Sequence, residues 1–126
     1  LAGGEEELTP LMVAEAAEAG DQFAMEIVID TAMYIGIGIV NLINTIDPNG
    51  IVLGGAMNFG GNGSELGRTF LARIRQEIQR RGFPVPAERI SLDYASLGGD
   101  AGYIGAAGLA RQEYRRLAMV AMSPCT

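Results

Sequence analysis

Two glycine pairs, Gly54-Gly55 and Gly98-Gly99, are the residues of this chain best placed to do chemistry, each standing at or close after the end of a strand-like run. In open α/β sheets ligands settle at the rim formed by the carboxyl ends of the strands, and the first helical turn beyond a strand offers free N–H groups to an anion. Missing side chains at Gly54 and Gly55 would let a flat or bulky ligand lie directly on the backbone. The same holds at Gly98 and Gly99, but Asp100 adds a negative charge that repels a bare phosphate and reads better as a helix cap. The plainer alternative for either pair is a tight turn. Gly60-Gly61-Asn62-Gly63 reads as a floppy loop in preference to a ligand lid. Neither Gly36-Ile37-Gly38 nor Gly61-Asn62-Gly63 completes a dinucleotide fingerprint, because position 41 is Asn and position 66 is Leu.

Absent residue types remove whole chemistries. All nine basic residues are Arg, and there is no His. No P-loop lysine, Schiff base, Ser-His or Cys-His nucleophile pair or imidazole zinc ligand can therefore come from this chain. The one cysteine, Cys125, is second from the end, so the chain alone builds neither a disulfide framework nor a thiolate metal site. A net charge of −6 argues against a polyanion-binding surface, and nucleic acid is not an expected partner. Glu5, Glu6 and Glu7 form a solvated run, Asp30 is the one other acid worth testing, and no two acids stand out as a base and its partner. No catalytic residue and no metal ligand are assigned.

The elements that must position the glycines follow from periodicity. A chain of 126 residues, 48% apolar and 19% charged, is one domain's worth with a core to bury. Thr9-Pro10 opens a short Ala-rich helix ending at Gly20, and Asp21 caps a second. From Phe23 to Ile46 the polar residues Glu26, Asp30, Tyr34, Asn41 and Thr45 recur at helical spacing, which predicts a central helix with a narrow wet face. A rival reading makes Ile35 to Val40 a buried strand. If helical, Gly36 and Gly38 each cost up to ~1 kcal/mol against Ala, which a close backbone approach would offset. Asp47-Pro48-Asn49-Gly50 predicts a turn, with positive φ at Asn-Gly, leading into the buried strand Ile51-Val52-Leu53. Ser64 caps a helix with Leu66, Phe70, Leu71, Ile74 and Ile78 inward and Arg68, Arg73, Arg75 and Glu77 outward. Gly82, Pro84 and Pro86 close it. Arg89 to Ser96 alternates as a strand, completing a parallel, right-handed crossover. A last helix runs from about Ala101 to Met119. Its Gly102, Ala106 and Ala110 stripe reads as ordinary core packing, with close helix approach as the alternative.

Two isolated parallel strands do not make a stable sheet, so further strands are expected from outside Ile51 to Ser96. The order of features supplies a candidate. Gly20-Asp21, the helix ending Gly36-Ile37-Gly38-Ile39-Val40-Asn41-Leu42-Ile43-Asn44, the Asp47-Pro48 turn, Ile51-Val52-Leu53-Gly54-Gly55 and Gly102-Tyr103-Ile104-Gly105-Ala106-Ala107-Gly108-Leu109-Ala110 together resemble the C-terminal part of the ROK family, over about Thr9 to Arg111. That family contains bacterial glucokinases, other hexose and amino-sugar kinases, and sugar-responsive repressors. The resemblance implies an α/β fold, a partial ribonuclease-H-like (actin-like ATPase) C-terminal lobe that is helix-rich with a parallel strand-helix-strand unit.

By the same likeness, Gly54, Gly55 and Ala56 seat the adenosine of ATP with Mg2+, and Gly102 to Ala110 forms the hinge helix. The family's catalytic aspartate, early phosphate motifs and Cys/His zinc motif have no counterpart here. The expectation is a C-lobe fragment over 9–122, with a disordered or linker start at 1–8 and a frayed tail at 123–126. Its parent would be a sugar kinase using ATP and a hexose, and the piece alone would be inactive. The alternatives are the sensing lobe of a ROK transcriptional repressor and a free-standing structural module. No stretch of 18 consecutive apolar residues exists and the start lacks signal-peptide features, so a cytoplasmic chain with no membrane partner is expected. An open strand edge or the last helix would make it a homo-oligomer.

Overall fold

A computed structural model describes residues 8–55 and 58–121 and divides the chain into two compact units, one ending at Ala95 and one beginning at Ser96. The first holds α1 (Pro10–Glu18), α2 (Gln22–Ile46), β1 (Gly50–Leu53), α3 (Glu65–Arg81), α4 (Pro84–Arg89) and β2 (Ser91–Tyr94); the second holds α5 (Ala101–Ala121).

Local capping explains where the first two helices start and stop. Thr9 accepts the Met12 N–H at 3.3 Å and Pro10 occupies the first helical position. α1 ends because Gly20 turns left-handed at φ +93°, letting the Gly20 and Asp21 N–H groups donate back to Ala17 and Ala16. Asp21 then caps α2, accepting from Ala24 N at 2.8 Å. Along α2 the buried residues are Ala24, Val28, Ala32, Gly36, Ile39, Val40 and Ile43. That is one helical face, so Ile35 to Val40 is helix and the strand alternative is set aside. α2 has the length and hydropathy of a membrane span, 25 residues with a window mean of 1.7. Here its apolar face is the centre of a packed core against α1 and α3, and Glu26 and Asp30 lie exposed on it.

The two α2 glycines differ. A Cβ on Gly36 would stand 2.6 Å from Glu77 Cβ and 3.3 Å from the Ile74 carbonyl oxygen, which is the close approach expected. Gly38 has open space around it, so no such approach offsets its cost. The turn after α2 also differs from expectation, because the positive φ falls on Asp47, at +44°, and Gly50 already belongs to the strand. Asp47 tolerates this conformation. Its carboxylate accepts from Arg89 Nη2 at 2.6 Å, tying the end of α2 to the approach of β2.

β1 and β2 pair in parallel, with Gly50 opposite Ser91 and Leu53 opposite Tyr94. α3 forms the crossover and buries Leu66, Phe70, Ile74 and Ile78 against α2, with Leu71 half-buried. Glu77, placed outward from the sequence, is instead fully buried. Its Oε2 accepts from Arg81 Nε at 2.7 Å and Arg80 Nη2 at 2.9 Å, while Arg73 Nη1 stands 2.5 Å from Oε1 as an ion pair. The hydrogen bond from Arg81, helped by Arg80 and Arg73 and opposed by burial, holds this carboxyl down at about 2. A charged residue is tolerated inside because three guanidinium groups come with it.

Pro84 and Pro86 do not only end α3. Pro84 starts α4, whose first turn needs no N–H from it, and Ala87 is buried there. The strand is accordingly shorter than Arg89 to Ser96. In the second unit a 3₁₀ turn at Gly98–Asp100 runs directly into α5. Gly102, Ala106 and Ala110 lie exposed along α5.

Candidate functional site

β1 and β2 stop level with each other, and Ala95 N donates to the Leu53 carbonyl at 2.8 Å, one residue beyond the ladder. Gly54 and Gly55 come next, both exposed. A Cβ on Gly54 would rest in ordinary contact with Ala95 Cβ at 3.8 Å, whereas Gly55, at φ +97°, has open space above it. The sequence-predicted site is therefore bare main chain at a sheet's carboxyl end, two residues wide. Ala56, the third residue assigned to it, lies outside the described residues.

The loop that follows is built, not floppy. Phe59, Gly60 and Gly61 are successively left-handed, at φ +49°, +78° and +60°. Gly61 N donates to the Asn58 carbonyl at 2.8 Å and Gly60 N to Asn58 Oδ1 at 3.3 Å. The Ser64 hydroxyl donates to the Phe59 carbonyl and accepts from Gly67 N at 2.8 Å, so one side chain ties the loop and caps α3. The Phe59 ring packs on Phe70 with centroids 4.7 Å apart. Gly67 lets the loop come this close, since a Cβ there would lie 2.8 Å from the Gly61 carbonyl carbon and closer still to its oxygen.

β2 braces the same corner. The Tyr94 hydroxyl donates to the Gly67 carbonyl at 2.8 Å, and burial pushes this phenol above its ordinary pKa. Asn62 Nδ2 donates to Asp93 Oδ1 at 2.7 Å, and Arg68 Nη1 donates to the Asn62 carbonyl at 3.0 Å. The Asn62 amide and then the Tyr94 N–H lower the Asp93 carboxyl pKa; desolvation opposes them, and the Arg75 charge adds a lesser lowering.

Two clefts border the loop. One of about 410 Å³ lies between α1 and the loop, walled by Thr9, Pro10, Ala14, Asn58, Phe59 and Gly60. A smaller, more apolar one of about 240 Å³ lies behind it, with Leu8, Val13, Ile27, Val28 and Phe59. Phe59 forms part of both. The α3 N-terminus is poorly suited to an anion, because Ser64 takes the Gly67 N–H and Glu65 puts a negative charge in the first turn. Among the described residues no group of three or more His, Cys, Asp and Glu side chains converges on a metal position. Among the described residues, the strand-end platform itself is uncharged main chain.

Sequence reasoning placed Gly54 and Gly55 at the strand end and Ser64 at the start of α3, where the structure has them, but did not single out Phe59, Asn62, Asp93 or Tyr94. An aromatic residue inside a glycine run was a signal for Phe59. Asn62 and Asp93 are 31 residues apart and no spacing rule links them.

Comparison with known proteins finds relatives over most of this chain. A glucokinase from Halalkalibacterium halodurans is 38% identical over 106 residues, covering 84% of this chain and 30% of the relative. A xylose repressor from Caldicellulosiruptor bescii is 26% identical over 92 residues, covering 73% and 22%. The chain thus spans less than a third of the length of either. Among solved structures, a ROK family glucokinase from Streptomyces griseus in complex with glucose and AMPPNP superposes with a TM-score of 0.63 at 35% identity, over 79% of this chain and 30% of that one. The fold is accordingly α/β of the ribonuclease-H-like, actin-like ATPase class. The ROK family profile matches residues 2–113, and the chain belongs to the ROK family.

Proposed function

We propose that this chain is the nucleoside-holding part of an ATP-dependent sugar kinase, with Gly54, Gly55 and Ala56 seating adenosine where the parallel strands end. The single observation that carries this is the exposed, side-chain-free main chain at Gly54-Gly55 where the parallel strands end, open above Gly55. The 38%-identical glucokinase supports the reaction class. MgATP, when bound, supplies the γ-phosphoryl group for transfer to a hexose hydroxyl, and the divalent ion spreads its charge.

What these residues do is narrower. The platform and the Phe59 wall bind and orient the nucleoside end, and orientation is most of what phosphoryl transfer asks of a protein. No general base is assigned within the chain, so the piece alone is proposed to be inactive. The reading also carries a cytoplasmic location, where ATP and hexose meet, and self-association through the free sheet edge, tested by sedimentation.

The closing experiment is titration calorimetry with MgATP on the unmodified protein and on Gly54→Val. Valine at 54 roofs the platform without straining the backbone, because only Gly55 needs a positive φ. Affinity is expected to fall tenfold or more; equal affinity overturns the platform. A second reading, the sensing lobe of a repressor, is favoured by the xylose repressor likeness. A helix-turn-helix in the sequence upstream of Leu1 decides for it.

A further inference from the structure

We propose that Asn62 and Asp93 form a latch that fixes the wall of the nucleoside site, with Asn62 a positioning residue for the bound nucleotide; this rests on the nucleotide reading above. The described part of the crossing from β1 to α3 holds three left-handed residues in a row, one of them the non-glycine Phe59. Such a conformation persists only where its surroundings over-determine it. Ser64 and Phe70 hold one side of the loop from α3. The other side is held from β2 by Asn62 Nδ2 on Asp93 Oδ1 at 2.7 Å, the one hydrogen bond among the described residues between this loop and that strand.

A bond to an ionised carboxylate is of the stronger kind, and the Asn62 carbonyl is pinned as well, by Arg68 at 3.0 Å. Both side chains of the latch are exposed, so they add little to the core. Their effect is on the loop that carries Phe59 into the two clefts. A wall fixed before the ligand arrives spares the cost of ordering it on binding, and that saving appears as affinity.

The test is a donor–acceptor swap in the intact polypeptide that carries this sequence, with MgATP as the titrant. Asn62→Asp sets two carboxylates against each other and is expected to weaken MgATP binding about tenfold. Asp93→Asn keeps an acceptor and is expected to fall between. The double variant Asn62→Asp with Asp93→Asn rebuilds an amide–carboxylate pair, and its affinity is expected to return to within about threefold of the original. All four proteins should melt at nearly the same temperature, a result a merely structural role would not give. If all four bind MgATP alike, the latch has no part in binding and the platform stands without it. A loss that the swap does not restore also overturns it. No binding by the unmodified protein removes the nucleotide reading and this inference together.

Discussion

The two ends of α3 are anchored by opposite means. At the N-terminal end the close contact depends on side chains being absent: Gly67 and Gly61 bring main chain against main chain, the Ser64 hydroxyl accepts from the Gly67 N–H, and the Tyr94 hydroxyl donates to the Gly67 carbonyl. Toward the C-terminal end a fully buried carboxylate, Glu77, gathers Arg73, Arg80 and Arg81 beneath α2 at Gly36. The first kind of anchor is short-ranged and intolerant of one extra carbon. The second is electrostatic and answers to pH. The proposed nucleoside platform, Gly54-Gly55, leads into the first.

Gly67→Ala should break the N-terminal anchor outright. The new Cβ meets the Gly61 backbone, at 2.8 Å from its carbonyl carbon and 2.9 Å from its nitrogen, and no side-chain rotation relieves a clash with main chain. The loop must move, taking the Ser64 cap and the Phe59–Phe70 contact with it. A loss of about 3 kcal/mol is expected, read as a lower denaturant midpoint. An unchanged midpoint would mean that the loop is not packed against α3 as described.

Glu77→Gln probes the other anchor and should cost less at neutral pH, with a dependence on acid that Gly67→Ala lacks. The Glu77 carboxyl titrates near 2 in the folded chain against an ordinary 4.5. Its folded value is the lower one, so its contribution is present in full above about 4.5 and disappears as the pH falls through about 2. The unmodified protein should therefore lose part of its stability across that window, and the glutamine variant should lose less. Parallel midpoint-against-pH curves for the two proteins would remove the buried ion cluster as the cause.

The contrast also explains what could be read without coordinates. Glycines, caps and apolar spacing are local, so the sequence located α2, the β1–α3–β2 crossover, the Ser64 cap and the glycine pair that ends β1. Glu77 was misplaced because its spacing among Arg73, Arg75 and Arg80 on an amphipathic helix is that of an ordinary wet face. Nothing local says that Gly36, some forty residues earlier, leaves a hollow facing it. α4 was missed for a related reason, since Pro84 and Pro86 are stop signals for the preceding helix and equally good first-turn residues for the next. Asn62 and Asp93 meet only because a parallel register brings β2 beside the loop, and register is a property of the assembled sheet.

The finest division is within α2, between Gly36 and Gly38. In isolation each Gly→Ala change favours helix by up to ~1 kcal/mol. At Gly36 the Cβ lands 2.6 Å from Glu77 Cβ, which is fixed by its own backbone and cannot swing aside, so α2 and α3 must separate and the Arg cluster with them. That outweighs the propensity gain and should leave a net loss of about 1 to 2 kcal/mol. At Gly38 nothing lies within 4 Å, so only the gain remains, and Gly38→Ala should raise the midpoint by about 0.5 to 1 kcal/mol. Opposite signs from the same substitution two residues apart, measured by denaturant unfolding, test the α2–α3 contact directly. A stabilised Gly36→Ala would place Glu77 elsewhere and take the C-terminal anchor of α3 with it.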